Sequence, residues 1–155
     1  MFEKILVPLD GSEQAIPIAR DLALQLGSTI HLIHAVSVDH DLTAGRNVQP
    51  VQVVEIEVEQ AHRLTEARVE RGIKYVNQLL AQLKEAGVKV DSRANVPQGD
   101  PAQHIVDYVK ANDIDIDLVV MSTHGQGGLR RLLVGSVTDR LIQTCEIPIL
   151  VNPCH

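Results

Sequence analysis

Leu118-Val119-Val120-Met121-Ser122-Thr123-His124-Gly125-Gln126-Gly127-Gly128-Leu129-Arg130-Arg131-Leu132-Leu133-Val134-Gly135-Ser136-Val137-Thr138 is the stretch on which the fold turns. Residues 118–121 are a continuous apolar run, the pattern of a strand buried on both faces, as happens where helices cover both sides of a parallel sheet. The run ends in a loop with three glycines within four residues, and Gly135-Ser136 then opens a helix that reads to about Cys145. Strand, glycine-rich loop and helix form one unit of a wound α/β domain.

Working outward, the same unit recurs. Residues 4–7 are a first strand, broken at Pro8 and followed by the turn-forming and helix-capping residues Asp10-Gly11-Ser12. From Glu13 the apolar positions Ala15, Ile18, Ala19, Leu22 and Leu26 recur at helical spacing, with Pro17 expected to distort the early turns and Gly27 to stop the helix. Residues 29–36 are a second strand. Residues 55–85 read as one long helix or two, with Ile73, Val76, Leu79, Leu80 and Leu83 as the buried stripe and Gly87 as the stop. A third strand runs from Val88 towards Ala94. Asp100-Pro101-Ala102-Gln103 is a helix start: Asp supplies the capping oxygen, Pro fits the first position and Gln can reach back. A fifth strand spans 147–151.

Each parallel connection needs a crossover, and the crossovers here are helical, so the expected fold is a single α/β domain over residues 1–155: a doubly wound, five-stranded parallel sheet with helices on both faces. Right-handed crossovers force the winding to reverse somewhere, and ligands bind at the carboxyl ends of the two strands beside that reversal. Residues 39–53 show no clear period and are long for a connection, which leaves a mobile surface loop and a flap over a ligand both open.

Composition removes several functional classes. The chain has 155 residues, 45% hydrophobic and 22% charged, close to the globular average. Its aromatics are Phe2, Tyr75 and Tyr108, too few for a base-stacking platform, and 14 basic against 20 acidic residues give a net charge of −6. Nucleic acid is therefore not the expected partner. Cys145 and Cys154 have neither a CxxC spacing nor a Cys/His framework and read as free, reduced thiols. No segment approaches the length of a membrane span and the N-terminus has no leader pattern, so the expectation is a soluble cytoplasmic protein.

The chemistry gathers after the first and fourth strands. Glycines at 125, 127 and 128 let a backbone approach a ligand closely. The first turn of the last helix adds unpaired N–H groups, the positive end of the helix dipole and the hydroxyls of Ser136 and Thr138, which is the physics of a phosphate site. Arg130 and Arg131 can neutralise phosphate charge or stand solvated in the loop. The P-loop motif is absent, and the dinucleotide GxGxxG fails because Arg130 stands where the third glycine belongs. Glycine spacing alone leaves a phosphate site and a structural turn both open.

Here the chain resembles the universal stress protein family. ATP-binding members carry G-x2-G-x9-G-[ST] after the fourth strand. Gly125, nine intervening residues and Gly135-Ser136 match its second part, while Ser122 replaces the first glycine. Val7-Pro8-Leu9-Asp10-Gly11-Ser12 and Pro148-Ile149-Leu150-Val151 are also similar to family signatures, so the resemblance covers essentially the whole chain.

The resemblance implies a strand order of 3-2-1-4-5 and an adenine nucleotide, ATP with Mg²⁺ held through its phosphates, between strands 1 and 4. Pro8, Leu9 and Asp10 fall in the first-strand part of that site, Asp10 matching the acidic residue that contacts the nucleoside. Helix capping is the alternative role for Asp10. Ala35 falls where a small residue offers its backbone to adenine. Ser122, His124 and Gly125 fall in the loop near ribose and phosphates, where packing or hydrogen bonding is the favoured role for His124. Gly135, Ser136, Val137 and Thr138 match the phosphate-cradling turn. The resemblance also implies a homodimer, and the exposed apolar edge at Ile149-Leu150-Val151 invites such pairing.

No catalytic residue and no protein metal site are identified. His31 and His34, three apart on a strand, do not share a face. Asp113, Asp115 and Asp117 read as a solvated turn, and no Ser-His-Asp arrangement is present. A nucleotide-binding regulatory protein of the stress response is the leading expectation. The alternatives are a slow ATPase or autophosphorylating phosphotransferase, for which no loop lysine is at hand, and a dimeric stress protein that binds no nucleotide.

Overall fold

A computed structural model describes residues 1–9, 13–36, 51–111, 113–122 and 136–152, with side chains described from 58 and from 137 in the helices that begin at 51 and 136. The apolar runs form β1 (Lys4–Pro8), β2 (Thr29–Ile33), β3 (Lys89–Val90), β4 (Leu118–Ser122) and β5 (Ile149–Asn152). They pair in parallel in the order β3-β2-β1-β4-β5, the order that the family resemblance implies. Between them lie α1 (Ile16–Leu26), α2 (Val51–Glu85), α3 (Pro101–Lys110) and α4 (Ser136–Thr144), which completes a single-domain α/β fold.

Alternation along the strands divides the core in two. Ile5 and Val7, Ile30 and Leu32, and Leu118 and Val120 pack with Ala19 and Ala23 of α1 and Val76, Leu79, Leu80 and Leu83 of α2. Leu6, Ile33, Val119 and Met121 point to the other face and pack with Ile105 and Val106 of α3 and Leu141 of α4. Helices α1 and α2 thus cover one face and α3 and α4 the other. The winding reverses between β1 and β4.

Several local expectations are corrected. Pro17 stands in the first turn of α1, where its missing N–H would have no partner, so it starts the helix instead of distorting it. The helix begins at Ile16 because Glu13 takes a positive φ of 55°, which keeps residues 13–15 as a turn. Residues 51–85 form one helix, so positions 51–53 belong to α2; residues 39–50 lie outside the described residues. Ile73 is 39% exposed and leaves the buried stripe, its place at the sheet taken by Gly72. Gly72 is buried because α2 runs close to the segments after β2 and β3: a Cβ there would stand 2.9 Å from Val96 Cγ1 and 3.2 Å from His34 Cδ2.

The third strand is short, and pairing with β2 continues only as bridges at Ile33–Asn95 and Val36–Gln98. Asp100 caps α3 as expected, Oδ1 accepting the Ala102 N–H at 3.1 Å. Gln103 does not close a capping box: its Nε2 donates to Asp107 and its Oε1 accepts from Arg140. Asp117 is not simply solvated, since its carboxylate accepts the backbone N–H groups of Glu3 and Lys4 at 2.8 and 3.2 Å and fastens the start of β1.

Candidate functional site

The carboxyl edge of the sheet gathers the ends of four strands. Leu9 extends β1 by one rung, its N–H donating to the Ile33 carbonyl at 2.8 Å. Pro8 is half-buried in register with Ile33, and Ala35 is half-buried two residues beyond the end of β2. Ser122 closes β4, buried and in register with Asn152 of β5. Pro8, Leu9, Ala35 and Ser122 therefore share one edge, beside the reversal between β1 and β4. Asp10, His124, Gly125, Arg130, Arg131 and Gly135 lie outside the described residues, as does Cys154.

Helix α4 starts at Ser136, and its first-turn N–H groups have no helical acceptor within it. Val137 is half-buried against the α3/α4 core. Thr138, in the same turn, is buried at 2% exposure. The acidic residue of that turn, Asp139, accepts a hydrogen bond from Gln143 Nε2 at 3.0 Å.

Side chains to which the sequence reading gave no role at the site brace this edge. His34 Nδ1 is 3.2 Å from the Leu9 carbonyl, which requires the proton on Nδ1, and its ring meets Tyr75 edge-on at 5.5 Å. Asn152 Nδ2 donates to the Gln14 carbonyl at 3.2 Å. Arg140 ties α4 to α3, with Nη1 2.5 Å from Asp100 Oδ2 and Nη2 2.7 Å from Gln103 Oε1. Partial burial pushes the Asp100 carboxyl up, but hydrogen bonds from Arg140 and the Ala102 N–H together hold it below its ordinary value. The signal in the sequence was positional: His34 lies near the end of the strand read at 29–36, and Asn152 stands just past the one read at 147–151.

Two other places compare poorly with this edge. A shallow depression of about 380 Å³ at the amino ends of the strands is lined by Phe2, Lys4, Gly27, Thr29 and Lys89. Its two lysine ammonium groups donate to the carbonyls of Ile114 and Gly27, at 2.6 and 3.3 Å. Cys145 is half-buried, and burial pushes its thiol pKa up, the opposite of nucleophile activation. Among the described residues no cluster could hold a metal ion, and His31 and His34 reach different helices, Tyr108 of α3 and Tyr75 of α2.

Known proteins match this architecture over its whole length. The model of the universal stress protein family covers residues 1–153. Universal stress protein MJ0531 of Methanocaldococcus jannaschii is 28% identical over 155 residues, covering 97% of this chain and 82% of its own. The solved structure of MJ0577 from the same organism, the subject of a structure-based assignment of biochemical function, superposes with a TM-score of 0.73 at 25% identity, covering 100% of this chain and 98% of that one. A universal stress protein solved in complex with cAMP shares the fold, with a TM-score of 0.61, 15% identity and 99% and 98% coverage. Sheet order, the edge beside the reversal and the full-length family match lead to one conclusion: this chain belongs to the universal stress protein family.

Proposed function

We propose that the chain is a single nucleotide-binding domain that holds ATP at the carboxyl edge between β1 and β4 and acts as a regulatory protein of the stress response. The observation that carries this reading is the reversal of winding between those strands, with α1 and α2 on one face and α3 and α4 on the other. At such a reversal the two flanking connections leave in opposite directions and a crevice opens at the strand ends.

The donor set suits an anionic nucleotide. The first turn of α4 supplies N–H groups and the positive end of a helix dipole, and Gly125, Gly135 and Ser136 supply the approach. Arg130 and Arg131 add charge, Asp10 meets the nucleoside, and Ala35 offers backbone to adenine. Mg²⁺ comes with the phosphates, which it would screen. The adenine is held by backbone and aliphatic contacts, since the chain has only three aromatic residues among Phe, Tyr and Trp. Binding rather than turnover is the role, because the phosphate loop contains no lysine.

An acidic balance of −6 sets nucleic acid aside as a partner. The half-buried edge strand β5 is the surface for a second copy of the chain. Among the described residues no helix is long and apolar enough to cross a membrane, in keeping with a cytoplasmic site of action.

Denaturing the purified protein and identifying the released small molecule by mass spectrometry tests the reading. An adenine nucleotide is the expected product, and cAMP is the informative alternative within that class. A preparation that releases none, and takes up none when ATP is added, contradicts it.

A further inference from the structure

The pairing of β2 with the chain that follows β3 slips by two residues. Ile30 faces Val90, but Ile33 faces Asn95, where an unbroken register would place Arg93. Side chains fasten the bulge that results. Asp91 Oδ1 accepts the Arg93 backbone N–H at 2.9 Å, which makes an Asx turn, and the Arg93 guanidinium folds back on the same carboxylate. Asn95 Nδ2 donates to the Leu32 carbonyl at 3.1 Å and lies 3.3 Å from the Arg93 carbonyl.

His31 of β2 and Tyr108 of α3 meet beside this bulge, Nδ1 3.1 Å from Oη. The direction of that hydrogen bond follows from the neighbours. Two carbonyls face one terminal atom of Asn95, which requires that atom to be the amide nitrogen, and the same nitrogen reaches Tyr108 Oη at 3.3 Å. Tyr108 Oη accepts there and has its own hydrogen to give. Burial pushes the Tyr108 pKa up, so the hydroxyl keeps that hydrogen at neutral pH. His31 Nδ1 is the acceptor within reach, which places the proton of the neutral ring on Nε2. Donation thus runs from Asn95 to Tyr108 to His31 and joins the bulge, α3 and β2.

A proton on Nδ1 reverses the last link. The imidazolium donates from both nitrogens and cannot accept from Tyr108. Its nearby anion is Asp91, with Oδ2 3.4 Å away. Burial of the ring opposes the proton most, Asp91 favours it, and Lys4 on β1 and Arg93 in the bulge oppose it. Asp113, beyond α3, acts on Tyr108 and Arg93.

We infer that Asn95, Tyr108 and His31 form a proton-gated clamp, which ties α3 to the β2–β3 bulge at neutral pH and loosens α3 when His31 takes up a proton. Helix α3 is joined to α4 by Arg140 and by the packing of Ile105 and Val106 with Leu141, so the loosening reaches the helix layer on that face. The clamp does not depend on the nucleotide site.

The test uses the full chain and two measurements. Nitrogen NMR of His31 reads its tautomer and its titration from pH 7.5 to 5.0. Amide exchange, corrected for the intrinsic pH dependence of the reaction, reads the protection of residues 101–110 in α3 against residues 16–26 in α1. A neutral ring with its proton on Nε2 is expected at pH 7.5, with a titration midpoint below 6.5. Protection of α3 should fall about fivefold more than that of α1 across the titration. In Tyr108→Phe that loss should already be present at pH 7.5, with no further loss particular to α3 in acid. In His31→Gln, whose amide oxygen can accept from Tyr108 without titrating, α3 should stay protected at both ends of the range.

A neutral His31 with its proton on Nδ1 would overturn the inference, as would a ring that remains unprotonated at pH 5.0. Parallel loss of protection in α3 and α1 would show that the proton acts on the whole fold, and would overturn it too. So would an α3-specific acid loss that persists in Tyr108→Phe or in His31→Gln.

Discussion

The His31 imidazole and the Asp91 carboxylate face each other in a largely buried position, Nδ1 3.4 Å from Oδ2. Tyr108 Oη lies 3.1 Å from the same nitrogen and accepts a hydrogen bond from Asn95 Nδ2 at 3.3 Å. Arg93 chelates Asp91 from the solvent side, with Nη2 2.7 Å from Oδ2. Burial pushes the His31 pKa below its ordinary 6.5; Asp91 acts against that shift, while Lys4 and Arg93 add to it. The hydrogen bonds from Arg93 hold Asp91 below its ordinary value.

Stability should therefore depend on pH in a stated direction. Below about pH 6.5 the unfolded chain takes a proton on His31 that the folded chain resists, so stability is complete above that value and falls as pH drops below it. Urea midpoints measured from pH 7.5 to 5.5 should decline in the wild type and decline less in His31→Gln. Equal slopes in the two proteins would contradict this assignment. The Asp91 contribution is lost in a separate window, below pH 3.8.

Gly72→Ala should destabilise despite lying inside α2. Helix propensity favours Ala by about 1 kcal/mol, but the new Cβ meets a branched Val96 methyl at 2.9 Å, and overpacking of this kind costs about 1–3 kcal/mol. Combining it with Val96→Ala should relieve the clash. In denaturant melts the double variant should lose less stability than the sum of the two single changes.

Asp117→Ala removes both acceptors that fasten the start of β1, at Glu3 and Lys4. Hydrogen bonds to a charged group each contribute about 1.5–3 kcal/mol, less at an exposed site. A loss of about 1–2 kcal/mol is expected overall, with faster amide exchange at Glu3 and Lys4. A change confined to a few tenths of a kcal/mol would show that water replaces the clip.

The sheet was legible because its signals are local and repeated: the apolar runs, the glycine stops at 27 and 87 and the Asp100-Pro101 cap each fix one element boundary nearby. The boundaries that shifted depend on tertiary contacts. Ile73 follows the helical period yet is exposed, because α2 turns Gly72 to the sheet where it passes Val96. The Asp117 clip and the His34 and Asn152 bonds join residues 25 to 138 positions apart, and no spacing rule relates them. At the proposed site, Pro8, Leu9, Ala35 and Ser122 came from the family resemblance, whereas the side chains that brace that edge became visible only once the strands were side by side.

Edge strand β5 carries Ile149, Leu150 and Val151 half-buried, each packed against one of the two cores. Pairing through it should give a particle of about twice the 17.0 kDa chain mass at micromolar concentration, read by light scattering. A monomer under those conditions would rule out this edge as a stable contact.

Calorimetric titration of MgATP into nucleotide-free protein is the most direct measurement of the central claim. One binding event per chain is expected, strongly weakened in Asp10→Ala and in Gly135→Val. Absence of any binding heat in a folded wild-type chain across a range of temperatures would contradict the account.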